Sequence, residues 1–286
     1  MRIAVFGASG FLGSKFVEQF SPSWELIPVY RKDLELPDLE LAEKLRGIKG
    51  IVNFMGAPVI GKRWSKKVRK ELISSRVKPA VKILQILTLL ERMPEFYLSA
   101  SAIGLYRNGQ ACTENESSYE NDFLTQVILL WEEQALKFKE YGIRVLVVRL
   151  GVVLDREGGA LKKLNPLFKL GLGGKIGYGK QIFAWISAQD ALNAIGFLLS
   201  RKESNGIYNL VEPVEITNGD FTRSLAMSLR RPAFFIIPGF LLFLVYGEGA
   251  RLLTDSKRVI PEKLLQEGFS FHDSDIYNFM KKTFSE

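Results

Sequence analysis

The chain has 286 residues, 47% hydrophobic and 24% charged, an ordinary composition for a folded protein and long enough for one large α/β unit. One cysteine, Cys112, and one histidine, His272, exclude an internal disulfide and a Cys/His zinc cluster, and no metal site is expected. No Gly-x-Ser-x-Gly elbow is present for a serine hydrolase. The net charge of +8 is local, because nine basic residues from Lys62 to Lys82 stand against Glu71 alone.

In chain order, Ile3 to Phe6 reads as a short buried strand, followed by the turn Gly7-Ala8-Ser9-Gly10-Phe11-Leu12-Gly13. Helical spacing then runs through Phe16, Val17 and Phe20 to Ser21-Pro22, and Leu26 to Tyr30 forms the next strand. The four apolar residues after Met1 and Arg2 are too few for a signal-peptide core, so a cytoplasmic location is expected. Gly50 to Met55, Glu95 to Ala100 and Ile143 to Leu150 are further buried strands, separated by helices over Lys66 to Leu90 and Phe123 to Tyr141. In the first of these helices the apolar residues recur at helical spacing. The basic window therefore reads as a solvated face, with a phosphate-facing patch as the alternative and no nucleic-acid partner expected.

Beyond Leu150 the alternation weakens. Gly171 to Gly179 is a glycine-rich loop whose P-loop-like spacing fails at Gln181, where a magnesium-binding hydroxyl is required. Phe183 to Ile186, a helix opening near Asp190 and a late strand at Ile207 to Val211 follow. Phe234 to Tyr246 is apolar but only 13 residues long and broken by Pro238-Gly239. It reads as a buried helix or lid, and no membrane partner is expected. The layout is a doubly wound parallel sheet of Rossmann type over residues 1–230, with a small, mostly helical cap over 231–286.

Gly7-x-x-Gly10-x-x-Gly13 between a strand and a helix fits a dinucleotide pyrophosphate loop. The glycines allow the tight turn, the backbone approach to phosphate and the helix–strand contact, while the helix start offers free N–H groups. At the end of the second strand an acidic residue would select NAD. Here Arg31 and Lys32 come first and Asp33 later, which favours NADP(H), a guanidinium suiting the 2′-phosphate.

These features resemble the extended short-chain dehydrogenase/reductases, and more specifically their atypical epimerase family, some of whose members carry the label of cell-division inhibitor. Val52-Asn53-Phe54-Met55-Gly56-Ala57-Pro58, Ser74-Ser75-Arg76, Ser99-Ala100-Ser101-Ala102-Ile103-Gly104, Arg149-Leu150-Gly151-Val152-Val153-Leu154 and Pro261-Glu262-Lys263-Leu264-Leu265 match in order and nearly end to end. The resemblance implies NADP(H) near Gly7, Ser9, Gly10, Phe11, Leu12, Gly13, Arg31, Gly56, Ala57, Ser99, Ala100 and Leu150. It further implies that Ser101 orients substrate and that Tyr106 is the tyrosine beside that turn.

The chain departs from the superfamily at the Tyr-x-x-x-Lys pair. The corresponding helix, Phe123 to Ala135, holds neither tyrosine nor lysine, and the pairs there read Leu124/Ile128 or Val127/Trp131. Two functions remain open. One is an NADP(H)-dependent oxidoreductase or epimerase-like enzyme acting on a small molecule, with Ser101 and Tyr106 as catalytic candidates and Glu132, or Ser187 with Asp190, as weaker ones. The other is an inert NADP(H)-binding sensor or interaction module.

Overall fold

A computed structural model of the chain describes residues 1–285. The first strands are β1 (Arg2–Phe6), β2 (Glu25–Val29), β3 (Gly50–Asn53), β4 (Phe96–Ala102) and the two-residue β5 (Ala111–Cys112). They are followed by β6 (Arg144–Leu150), β7 (Val152–Asp155), β8 (Gly174–Ile176), β9 (Trp185–Ser187), β10 (Gly206–Leu210), β11 (Phe235–Ile237) and β12 (Arg258–Val259). Six of them form one parallel sheet in the order β10-β6-β4-β3-β1-β2. The chain moves outward from β1 to β2 on one side and from β3 to β4 on the other, so the order reverses between β1 and β3. A crevice opens at the C-terminal strand ends there, the usual ligand position of such sheets.

Both sheet faces are covered because successive side chains alternate. Ile3 and Val5 face one core with Phe16 of α1 (Phe11–Phe20). Ala4 and Phe6 face the other, with Leu41 of α2 (Asp38–Lys44), Ile83 of α3 (Lys66–Ile86) and Ala135 of α4 (Phe123–Leu136). After α5 (Gly159–Lys169), α6 (Ala188–Ser200) returns to the first face, where Ile195 is fully buried. Each such Leu, Ile or Phe contributes about 1.5–3 kcal/mol, which is why strands this short and apolar are obliged to be internal. Ser65, Asp122 and Ser187 cap α3, α4 and α6 by accepting the N–H of Val68, Thr125 and Asp190.

A third core joins α7 (Asn218–Ser228) to the end of the chain, with Phe221 and Leu225 against Phe279 and Met280. The C-terminal helices are α8 (Gly239–Tyr246), α9 (Arg251–Thr254), α10 (Glu262–Gln266) and α11 (Ile276–Phe284). This region is laced into the rest, since β11 pairs with β8 and β12 with β5.

Three local expectations change. The Phe234-to-Tyr246 stretch is helical over α8, but no residue of α8 is buried and Phe240 and Leu244 are each 70% exposed. Part of the glycine-rich loop is strand β8, held by β11. Within the basic window the lysines do sit at or near the surface, but Arg76 is buried, its guanidinium over the ring of Trp131.

Candidate functional site

The crevice is built on glycines whose side chains would collide with backbone. Gly7 has φ +81°, and a Cβ there would meet Met55 N and Phe54 C of the segment leaving β3, each at 3.0 Å. A Cβ on Gly13 would stand 2.2 Å from the carbonyl oxygen of Gly7, so α1 can lie this close to β1 only with glycine. On Gly10 a Cβ would touch only Gly7 O, at 3.2 Å, and otherwise reach open space. The start of α1 has no side-chain cap and no acidic residue in its first turn, leaving its N–H groups and partial positive charge for an anion. These residues fit a dinucleotide pyrophosphate. Above them, Lys15 binds Asp155 at 3.0 Å, and Gly158 abuts the ring of Phe11 so closely that a Cβ would lie 2.0 Å from it. The turn after β7 thus covers the glycine loop.

The far wall is the chain leaving β3. Asn53, fully buried, donates to the Tyr97 hydroxyl and accepts the N–H of Met55, which shapes the exit toward Gly56 and Ala57. Ala57 N–H donates to Ser75 Oγ at 2.9 Å, and Arg76 donates to Ala57 O at 2.9 Å and to Leu72 O at 3.0 Å. Burial pulls the Arg76 guanidinium down to about 10, and no carboxylate is among its hydrogen-bond partners.

At the end of β2 the order of charges becomes geometry. Asp33 is buried, accepting the N–H of Tyr30 and the ammonium of Lys44, both at 2.7 Å. Burial pushes its carboxyl upward, but Lys44, the Tyr30 N–H and Lys32 outweigh that and hold it below the usual range. Arg31 and Lys32 remain exposed. The acidic group that could receive a ribose hydroxyl is turned inward and neutralised, and two cations are left outside.

The register of the sheet sets Ser101 opposite Arg149 and Asn209 opposite Arg149, one row across β4, β6 and β10. Glu132 of α4 joins this row. Ser101 Oγ donates to Glu132 Oε1 at 2.6 Å, and Arg149 grips the same carboxylate with Nε at 2.8 Å and Nη2 at 2.7 Å. Arg149 also donates to the Tyr106 hydroxyl at 2.8 Å, and that hydroxyl donates to Asn209 Oδ1 at 2.8 Å. Arg149, Glu132, Ser101 and Tyr106 are all buried. Glu132 holds Arg149 firmly in its cationic form against its burial. Burial pushes the Tyr106 phenol up to about 12, only partly offset by Arg149.

The structure therefore brings Ser101 and Tyr106 into one network, but Tyr106 is fully enclosed with both sides of its hydroxyl bonded. A phenol so placed can hand a proton to a bound molecule only where the network opens. Ser99 Oγ is turned to the Ala100 carbonyl, also inside. On α4, Leu124 and Ile128 fill the space beside Gly104, where a Cβ would lie 2.6 Å from Leu124. Ser187 and Asp190 serve the start of α6 and the segment at His272, whose backbone N–H and ring Nδ1 meet Asp190. Sequence reasoning assigned no role to Arg149, the hub of the network. Its signal was weak, an arginine inside an otherwise apolar strand, Val145 to Leu150.

A family model described as the NAD dependent epimerase/dehydratase family matches residues 3–210, and a second, a domain of unknown function (DUF1731), matches residues 237–282. The chain is 31% identical over 290 residues to the epimerase family protein SDR39U1 homolog, chloroplastic, of Arabidopsis thaliana, covering 95% of this chain and 83% of that protein. It is 29% identical over 288 residues to epimerase family protein SH2119 of Staphylococcus haemolyticus, covering 96% of each. Among solved structures, human epimerase family protein SDR39U1 (isoform 2) with NADPH aligns with a TM-score of 0.89 at 25% identity, over 100% of this chain and 99% of that one. A nucleoside-diphosphate sugar epimerase from Corynebacterium glutamicum aligns with a TM-score of 0.79 at 26% identity, over 99% of this chain and 58% of that one.

Proposed function

The chain belongs to the NAD dependent epimerase/dehydratase family, and from that membership we propose that it binds NADP(H) and exchanges hydride with a small carbonyl or hydroxyl compound, without a tyrosine–lysine pair. The observation that carries the cofactor choice is the end of β2, where Asp33 is withdrawn onto Lys44 and Arg31 and Lys32 stay outside. The human SDR39U1 structure containing NADPH supports the same choice.

NADP(H), when bound, supplies the hydride. The chain's own residues then have distinct tasks. The open start of α1 would hold phosphate, the turn after β7 would shield it from water, and the exposed Arg31 would meet the 2′-phosphate. We assign Gly56, Ala57 and Leu150 to the cofactor side of the strand ends, and Arg76 and Ser75 fix the Ala57 peptide. Ser101 is the hydroxyl we assign to orienting the reacting oxygen. Glu132 and Arg149 fix its direction, and Tyr106 is a positioning residue that keeps Arg149 in place.

A fluorescence titration tests the cofactor. NADPH should bind about 5- to 100-fold more tightly than NADH, the worth of one charge-assisted pair, and Arg31→Ala should abolish the difference. Equal affinities in the unaltered protein would refute the assignment. A second reading, a cofactor-binding sensor without turnover, is favoured by one feature: the Ser101 and Tyr106 hydroxyls are both bonded inside the protein. Single-turnover oxidation of bound NADPH across a carbonyl panel separates the two, since the sensor never oxidises it.

A further inference from the structure

One surface remains unexplained by cofactor or substrate. Phe234 is 89% exposed, Tyr178 89%, and Phe240 and Leu244 70% each. An aromatic side chain carries about 200 Å², so the three aromatics together expose roughly 500 Å², and the largest apolar patch of a typical monomer is about 300–600 Å². Phe234 and Tyr178 form one neighbourhood with Ile236: β11 pairs with β8, Gly171 lies against Pro232, and the three side chains line a common groove of about 590 Å³. Pro238 joins this strand directly to α8.

Its charge is mainly positive, with Asp220 beside the groove and Glu248, just past α8, paired with Arg69 at 2.7 Å. Residues 158–189 hold five lysines and no acid, residues 221–247 three arginines and no acid, and residues 62–70 six basic residues and no acid. The last segment reaches the apolar helix itself, where Arg63 donates to Leu244 O at 3.5 Å, and Lys163 approaches Gly61. Lys175, Lys180, Arg223 and Arg231 border the groove, with Asp220 the single acid there.

We propose that this face docks on the surface of a bilayer containing anionic phospholipid. Phe234, Phe240 and Leu244 enter the boundary between headgroups and acyl chains, and the surrounding lysines and arginines meet the phosphates. The helix α8 has eight residues, and no described helix is long and apolar enough to cross a membrane, so the contact lies in the interface plane. The earlier expectation of no membrane partner rested on the absence of a span and on burial of this segment, and the burial is not found. A second copy of the chain suits the face less well, because two such basic rims would be brought together across a self-complementary contact.

Co-sedimentation of the full chain with vesicles tests this directly. Vesicles of phosphatidylcholine with roughly 30% phosphatidylglycerol should pellet it and phosphatidylcholine alone should not. Raising salt from about 0.1 to about 1 M, which shortens the reach of charge from about 10 to about 3 Å, should release it. The double variant Phe240→Ser/Leu244→Ser should bind at least about tenfold more weakly, with melting temperature and NADPH affinity unchanged. Lys162→Gln/Lys163→Gln should weaken binding by about fivefold per charge at the surface, and gives the same test should the first variant fold poorly. Failure to pellet with anionic vesicles, equal binding to both vesicle types, or self-association that the double variant dissolves would each overturn the proposal.

Discussion

Tyr106 and Asn209 stand 103 positions apart, and Arg149 holds the hydroxyl that joins them. Replacing Tyr106 with Phe keeps the ring and removes the oxygen, leaving Arg149 Nη1 and Asn209 Oδ1 without that partner. Loss of a buried partner costs about 1–3 kcal/mol, so Tyr106→Phe should melt several degrees lower by calorimetry. Its single-turnover oxidation of NADPH should slow by less than about tenfold, because a positioning role is indirect. A loss of about 100-fold or more at unchanged melting temperature would restore the phenol as proton donor. The sequence placed Tyr106 beside the serine turn but could not show whether its hydroxyl faced ligand or core. That choice depends on Arg149 and Asn209, which come from two other strands.

At the scale of elements, the strand–turn–helix unit from Arg2 to Phe20 is the most self-contained part of the site. Gly10 and Gly13 answer to contacts within the loop itself, and that local part is legible as sequence; Gly7 also answers to Phe54 and Met55 beyond β3. Gly13→Ala should therefore act through backbone: the added methyl meets Gly7 O at 2.2 Å and Gly7 C at 2.9 Å, and neither can turn aside. We expect about 1–3 kcal/mol lower stability and at least about tenfold weaker NADPH binding, read by denaturation and fluorescence. Unchanged NADPH affinity would show that the loop does not carry the phosphates. Helix α8 is the opposite case. Its length and apolarity were legible, but its periodicity lacked a polar face, so sequence gave no sign of which side, if any, was covered.

The whole molecule is held together partly by an acidic junction between its body and the C-terminal segment. Glu212 accepts the N–H of Ser187 and the hydroxyl of Ser274, while Asp190 accepts the backbone N–H groups of His272 and Asp273. Burial, then the charges of Asp190 and Asp273, push the Glu212 carboxyl up to about 8. The neighbouring cation is Lys282, on Asp273. The folded protein therefore holds a proton that the unfolded chain releases near pH 4.5. Stability should fall as pH rises from about 4.5 to about 8 and level off above, by up to roughly 5 kcal/mol from this group. Glu212→Gln, whose amide oxygen can still accept the Ser187 N–H while its amide N–H donates to Ser274 Oγ, should flatten that slope and melt higher than the unaltered protein at pH 8.5. An unchanged slope would assign the pH dependence elsewhere.

The parallel sheet, the glycine loop, the basic end of β2 and the missing tyrosine–lysine pair are all legible along the chain. Each is a matter of residues close along the chain, where strand alternation, helical spacing and turn sterics act directly. Which polar groups face inward is set by the packing of distant segments. Asp33 withdraws because Lys44 on α2 reaches it, Arg76 is buried because Ala57 and Trp131 receive it, and Glu132 meets Arg149 because β4, β6 and α4 converge. That packing also leaves α8 uncovered. Burying a charge is tolerable only where partners from distant segments meet it, and an apolar helix is buried only where another surface lies over it; neither condition is written in local spacing.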